Sequence, residues 1–220
     1  VVMAVLVTVG AALVAMPVGY YMAKVASPKA KAVLFVLVLM PLWSSYIVRV
    51  LAWRQILNSE GVITWFAERL RLEWVIDAVL DAPMIGGADL TTSFAGQYLV
   101  FLYIWLPYMI LPIYAGLERL PTSLLDASGD LGARPWRTLR SVVLPSIVPA
   151  VAAGSIFTFS LTLGDFIVPQ LVGPPGYFIG SMVYAQQGAI GNMPMAAAFT
   201  LVPIVLIAIY LSIVKRLGAF

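Results

Sequence analysis

Hydrophobic residues dominate the chain in long runs, and short polar or charged segments separate these runs. Five runs have at least 20 residues, at 3–23, 32–57, 94–117, 145–168 and 194–214. A helix of that length covers the roughly 30 Å of hydrocarbon in a bilayer. The pattern therefore predicts an all-α, polytopic transmembrane helical bundle with about five spans.

Two of the runs contain residues that disturb a membrane helix. Pro41, Arg49 and Arg54 lie in the second run, and Pro107 and Pro112 lie in the third. Proline is tolerated in a membrane helix where neighbouring groups satisfy the freed backbone. The second run is also long enough to cross with some tilt. We expect both runs to span.

The charges between the runs predict the orientation of the chain. Residues 58–93 carry six acids and two bases and include an amphipathic piece, so we expect this segment outside. The uncharged, Gly- and Pro-rich residues 169–193 predict an external loop or a re-entrant piece. Basic residues mark cytoplasmic segments, which puts the C-terminus in the cytoplasm and the chain in a cell membrane. Nine of the thirteen bases lie on that side: Lys24, Lys29, Lys31, Arg119, Arg134, Arg137, Arg140, Lys215 and Arg216.

Composition narrows the chemistry. Only 10% of the 220 residues are charged and 62% are hydrophobic, whereas a soluble domain carries about 25% charged residues. The absence of Cys and His removes thiolate and imidazole nucleophiles, bases and metal ligands. No G-x-x-x-x-G-K-[ST] phosphate loop occurs. We therefore expect that the chain is not an enzyme and binds no cofactor or metal. We also expect no nucleic-acid partner, because the net charge of +3 in a membrane protein reflects the orientation of its loops.

The polar segment at about 118–145 predicts a short projecting helix from Ser123 to about Leu131, which Gly132 stops. Asp126 lies in its first turns, where a carboxylate suits the positive helix end. Gly132 would let two backbones approach closely. An ordinary loop with an amphipathic turn is the alternative.

This segment also carries a motif. The motif consists of Asp126, Ala127, Ser128, Gly129, Asp130, Leu131 and Gly132, followed later by Pro145. In residue types and spacing it resembles the Glu-Ala-Ala signature of ATP-binding-cassette importer permeases. Asp126 replaces the usual Glu, and Ser128 and Val142 are further departures. Three further groups of residues are similar to the spermidine/putrescine branch of that family. They are Pro41 with Arg49 and Trp53, Leu106-Pro107, and Gly164-Asp165-Phe166.

The resemblance implies one MetI-like permease domain over residues 1–220, with the first of the family's six helices missing from this sequence. It implies that residues 126–132 and Pro145 seat in a cytosolic ATPase dimer, which holds ATP and magnesium. Further implied partners are a second permease subunit, identical or homologous, and an external solute-binding protein. The implied cargo is a polyamine, with an opine, another amine or a small polar solute as alternatives.

Polar residues at membrane depth are the candidate path. Ser155, Thr158, Thr162 and Asp165 follow one another at spacings of three, four and three, which places them on one helix face. A membrane-embedded acid is a functional hypothesis by default, so we expect Asp165 to favour a cationic solute in the translocation path. The alternatives are that Asp165 pairs with Arg49 or caps a loop. Arg49 is then either a counter-ion that locks the helices or a gate residue.

Small residues form two further patterns. Ala11, Ala15, Gly19 and Ala23 recur at every fourth position, and a shorter series begins at Ser146. Such a pattern favours close helix packing, against another span or a second subunit. Outside the importer class, an ATP-independent transporter or channel, a membrane enzyme or a structural scaffold remain the alternatives.

Overall fold

The computed structural model describes residues 1–176 and 178–216, and no strand occurs in these ranges, so the all-α prediction is confirmed. The α-helices, in chain order, are α1 (Val2–Tyr20), α2 (Pro28–Leu39), α3 (Tyr46–Leu57), α4 (Val62–Leu70), α5 (Glu73–Leu80), α6 (Phe94–Arg119), α7 (Thr122–Asp130), α8 (Pro135–Thr138), α9 (Leu144–Gly164), α10 (Ile167–Leu171), α11 (Ile179–Gln187) and α12 (Met193–Arg216).

Four helical stretches are long and apolar enough to cross a membrane, namely Val2–Val25, Phe94–Arg119, Pro135–Gly164 and Met193–Arg216. The first and third of these include π-helical turns at Tyr21–Val25 and Leu139–Val143. These stretches correspond to four of the five predicted spans. They account for the multi-pass architecture that the hydrophobic runs predict.

Helix α6 forms the centre of the bundle and packs against both α1 and α9. The small residues of α1 produce this contact: Ala11 and Ala15 are fully buried in one cluster with Met109 and Ile113. On α9, a Cβ added to Gly154 would lie 2.7 Å from the sulfur of Met109. The predicted small-residue packing is therefore confirmed, and its partner is another span of the same chain.

The second predicted span is broken. Residues Pro28–Trp43 and Tyr46–Leu70 form two helical pieces that are bent by 100° relative to each other. Pro41 lies in the 3₁₀ turn just before the break, where a residue without an N–H and with a rigid ring ends a regular helix. The second predicted span is therefore a bent pair of helices, and it is a fifth span if both pieces cross the membrane together.

The fourth predicted span ends earlier than expected. Helix α9 stops at Gly164, and Asp165 has an extended backbone before α10 begins. The segment predicted as a loop or re-entrant piece, 169–193, contains the nine-residue helix α11, which packs against α12. The predicted end at Val168 is corrected to Gly164.

Charged contacts tie the chain together at one end of the bundle, called the α7 end below. The Nζ of Lys24 donates to the carbonyl of Leu120 over 2.6 Å, and Lys31 pairs with Glu118 at 2.7 Å. The opposite end, where α9 gives way to α10, is called the α10 end. The 21 residues of α9 separate the two ends by about 30 Å at 1.5 Å per residue.

Candidate functional site

Asp165 occupies the break between α9 and α10. Its Oδ1 accepts hydrogen bonds from the backbone N–H groups of Ile167 and Val168, at 2.8 and 3.0 Å. These donors are among those that a helix leaves unpaired at its N-terminus. The carboxylate therefore caps α10, which is one of the alternatives that the sequence left open. Asp165 is 9% exposed.

Tyr46 follows the helix break in the second predicted span, and its side chain reaches Asp165. It is the first residue of α3, and its hydroxyl donates to Oδ2 of Asp165. Its ring also stacks on Trp105 of α6, with 5.8 Å between the ring centroids and 21° between the ring planes. Residues from three distant parts of the chain thus converge where two helices are interrupted.

A cavity of about 340 Å³ opens beside this cluster. Two polar atoms near it, Nε1 of Trp105 and Oγ of Ser160, are buried and have no hydrogen-bond partner within the described ranges. Buried polar atoms in native proteins are normally paired, so these two are candidates for contact with a solute or water. The lining residues are Tyr46, Trp105, Ser160, Leu161, Gly164, Asp165, Phe166 and Ile167.

Arg49 lies one helical turn beyond Tyr46, on the same face of α3. Its guanidinium carbon is 5.7 Å from the centre of the Tyr46 ring, a cation–π distance. Nε and one terminal nitrogen are buried without a partner in the described part of the chain. Arg49 forms no ion pair with Asp165 there, and its role as counter-ion or gate stays a prediction.

The three hydroxyl residues of the predicted stripe are buried within helix contacts. Ser155 accepts a 2.6 Å hydrogen bond from Tyr210 of α12, and Thr158 lies 3.3 Å from the hydroxyl of Thr8 on α1. Thr162 donates to the carbonyl of Thr158 at 2.7 Å. In this conformation Ser155 and Thr158 join α9 to its neighbours, Thr162 bonds within α9, and the part of all three in a translocation path stays a prediction.

Gln97 holds the segment that follows α10. Its side-chain nitrogen donates to the carbonyl of Val172 over 2.8 Å, and the residue is fully buried in α6. Gly173 comes next, with a φ of +104°, and its N–H donates to the carbonyl of Thr91. These contacts fix the far end of α10, and through it the position of Asp165.

At the opposite end of the bundle, α7 follows the prediction closely. The helix runs over Thr122–Asp130 and ends before Gly132, whose φ is +72°. No atom of the described residues lies within 4 Å of a Cβ built on Gly132. The glycine therefore serves a left-handed helix end, and the expected close approach of two backbones does not occur within this chain.

Most residues of the predicted coupling motif are exposed. Ser128 is the exception, and its hydroxyl lies 2.9 Å from that of Thr138 on α8. Leu125 anchors α7 on the apolar cluster around Leu117 and Val143. The exposed motif residues are Asp126, Ala127, Gly129, Asp130, Leu131, Gly132 and Pro145.

Large apolar side chains also project at this end. Leu131 is 89% exposed and Trp136 is 68% exposed. Together with the exposed motif they form a surface, residues 122–136, that we call the α7 knob. Exposed apolar side chains of this size mark a contact with another protein or with the membrane.

Sequence reasoning missed two residues of the α10 end, Ser160 and Gln97. It assigned Tyr46 and Trp105 chiefly to interfacial anchoring, with an aromatic face for a polyamine as the alternative. The sequence held one signal for the position of Tyr46. This residue shortly follows Pro41, and a helix that breaks at a proline begins again soon afterwards.

Comparison with known proteins gives consistent results. The sequence profile described as "Binding-protein-dependent transport system inner membrane component" matches residues 15–219. The inner membrane ABC transporter permease protein YdcU of Escherichia coli is 65% identical over 218 residues, which are 99% of this chain and 70% of that protein. The spermidine/putrescine transport system permease protein PotB of Salmonella typhimurium is 26% identical over 215 residues, 97% of this chain and 71% of that protein.

A solved structure shares the fold. It is a chain of a bacterial ABC transporter that imports the acidic polysaccharide alginate, with a TM-score of 0.67 and 17% sequence identity. The match covers 98% of this chain and 79% of the other.

Proposed function

The chain belongs to the binding-protein-dependent transport system inner membrane components, the multi-pass membrane subunits of ABC importers, and on that premise we propose that it carries a polyamine such as spermidine or putrescine. The relatives named as spermidine/putrescine permeases support this cargo. They are more distant than the relative at 65% identity, whose name states no substrate.

The carboxylate of Asp165 beside the 340 Å³ cavity is the observation that carries the proposal. A cation close to a poorly solvated carboxylate is attracted far more strongly than in water. Tyr46 and Trp105 add aromatic faces, which also attract ammonium groups. An alkyl chain between two ammonium groups suits the apolar remainder of the lining, which includes Leu161 and Ile167.

A second candidate is an amine that also carries a carboxylate, such as an opine. The unpartnered N–H of Trp105 favours it, because this group only donates a hydrogen bond and so needs an acceptor. A polyamine in its ammonium form offers no acceptor. The two candidates therefore differ in whether the indole N–H matters for uptake.

The α7 knob supports the proposed partners. Its exposed motif and its exposed Leu131 and Trp136 suit a docking contact with a cytosolic ATPase dimer, which supplies ATP hydrolysis. A cytosolic partner at the knob requires the α7 end to lie in the cytoplasm, which is also the side proposed for the C-terminus; residues 217–220 lie outside the described ranges. A second permease subunit and an external solute-binding protein complete the proposed complex.

The test uses the whole transporter, purified with its co-expressed subunits and reconstituted in liposomes. Asp165→Asn keeps the shape of the side chain and one capping oxygen but removes the charge. We expect ATP-dependent uptake of labelled putrescine to fall at least about tenfold, the effect of losing a charge-assisted contact. Asp77→Asn removes an exposed acid on α5 and is the matched control.

The outcomes separate the parts of the proposal. Unchanged putrescine uptake by Asp165→Asn would show that the cavity is not the cation site. ATP-dependent uptake of a different solute, with none of putrescine or spermidine, would leave the importer class standing and reject the cargo. Trp105→Phe keeps the aromatic face and removes the N–H, so a selective loss of uptake of carboxylated amines would favour the second candidate.

A further inference from the structure

An apolar groove of about 610 Å³ runs between α1, α9 and α12, away from the Asp165 cavity. Val9 and Val148 line it and are 52% and 39% exposed. Along α9 the groove extends from Leu144 to Ser155, which is about 17 Å at 1.5 Å per residue. That length matches one leaflet, about half of the 30 Å of hydrocarbon in a bilayer.

The two ends of the groove have different chemistry. At mid-bundle it reaches the hydrogen-bonded pair of Ser155 and Tyr210. At the α7 end it reaches Arg140, which is exposed and takes part in no ion pair within the described residues. Two more bases, Lys215 and Arg216, directly follow Val214 of the lining. Positive charge thus collects at the end that faces the membrane surface.

We propose that this groove binds an anionic phospholipid of the leaflet at the α7 end. The phosphate contacts the Arg140 guanidinium, and one acyl chain lies along Val9 and Val148 toward the Ser155–Tyr210 pair. Arginine suits a phosphate because its planar N–H fork donates two parallel hydrogen bonds. Basic pockets between membrane helices near the surface are the usual setting for anionic lipid headgroups.

The lining favours a hydrocarbon chain. Between the basic end and the Ser155–Tyr210 pair, the residues of α9 that line the groove are apolar. A flexible acyl chain also suits a wall made of small and branched residues such as Ala12 and Val151.

Native mass spectrometry of the purified complex, exchanged into phosphatidylglycerol or phosphatidylcholine, tests the proposal. We expect the wild type to retain phosphatidylglycerol preferentially, and Arg140→Gln to lower its occupancy about fivefold without changing that of phosphatidylcholine. Arg137→Gln removes an equally exposed arginine that does not line the groove, and it should retain wild-type occupancy. Equal occupancy in the Arg140 and Arg137 variants would overturn the proposal.

A second measurement identifies what covers the groove. The chain contains no cysteine, so Val148→Cys introduces a single thiol halfway along the groove wall. We expect lipid-soluble maleimides to label this thiol in the assembled complex, and bound phosphatidylglycerol to slow the labelling. Efficient crosslinking of the same thiol to a second permease subunit would show a protein occupant and reject the lipid site.

Discussion

The two candidate regions are built in opposite ways. At the α10 end, Asp165 is buried and receives hydrogen bonds from Tyr46, Ile167 and Val168, contributed by segments more than a hundred residues apart. At the α7 end, the motif residues other than Ser128 are exposed, and one side-chain hydrogen bond, between the hydroxyls of Ser128 and Thr138, joins α7 to the following helix. One region is complete within the chain, and the other presents its side chains outward.

This difference separates two kinds of conservative change. A substitution at the α10 end alters contacts inside the permease, so it changes the stability of the chain as well as its transport. A substitution of an exposed residue on the α7 knob leaves the interior untouched, so it acts through assembly with a partner. The predictions below use this contrast.

The largest effect is expected for Gly132→Val. Valine at a φ of +72° is strained, because a β-branched side chain tolerates the left-handed region poorly. The end of α7 must then change shape, although no described neighbour blocks the side chain. We expect loss of ATPase co-purification and at least about a tenfold drop in ATP-dependent uptake, with normal membrane insertion of the permease.

The matched control is Gly191→Val, which puts the same residue at a φ of +70°, also beside open space, but outside the knob. This variant should keep the ATPase, because the strain that it causes lies away from the α7 surface. If Gly132→Val also kept the ATPase, the outward-facing role of the knob would be wrong, and with it the contrast between the two regions.

A smaller effect is expected for Tyr46→Phe. The change removes the hydroxyl that donates to Asp165 but keeps the ring that stacks on Trp105. A hydrogen bond to a charged group contributes about 1.5–3 kcal/mol, so the permease should lose about that much stability in a denaturant titration. Uptake should fall about tenfold, because the carboxylate loses one of its positioning contacts.

Tyr103→Phe is the control on α6. Tyr103 packs against Trp53, and its hydroxyl makes no side-chain hydrogen bond within the described ranges.

Combining Tyr46→Phe with Asp165→Asn should lower stability by less than the sum of the two single changes, since both remove the same contact. Additive losses would mean that Tyr46 and Asp165 act independently, contrary to their hydrogen bond.

The contrast also explains what could be predicted from the sequence. The α7 knob depends on contiguous residues: Gly132 ends the helix locally, and the motif occupies a single stretch, so pattern reasoning found both. The apolar spans were equally visible, because membrane hydrocarbon selects long hydrophobic runs. Three of the five spans have the expected bounds within a few residues, and the predicted span at 145–168 belongs to a longer helical stretch, Pro135–Gly164.

The α10 end could not be predicted because it depends on tertiary contacts. Pro41 lay visibly inside the second run, but proline in a membrane helix gives either a kink or a full break, depending on neighbours. Here the break and the 100° bend bring Tyr46 to Asp165. The spacing of Ser155, Thr158 and Thr162 fixed a common helix face but did not show that α1 and α12 would cover it.

The smallest effect is expected for the exposed ion pair at the α7 end. Lys31 and Glu118 lie 2.7 Å apart, yet their side chains are 31% and 43% exposed. Water and salt screen such a pair, so it contributes little to stability. Lys31→Gln should therefore leave the free energy of unfolding nearly unchanged and change uptake less than about twofold.

Lys29→Gln, two residues earlier and also exposed, controls for the loss of a positive charge. The coupling between Lys31 and Glu118, measured in a double-mutant cycle, should shrink further as salt rises, because the Debye length falls from about 10 Å at 0.1 M to about 3 Å at 1 M. The Tyr46–Asp165 coupling should stay nearly constant, since that pair is shielded from solvent. The contrast between the two regions would be wrong if the Lys31–Glu118 coupling were as large and as independent of salt as the Tyr46–Asp165 coupling. Burial would then not be what distinguishes the two regions.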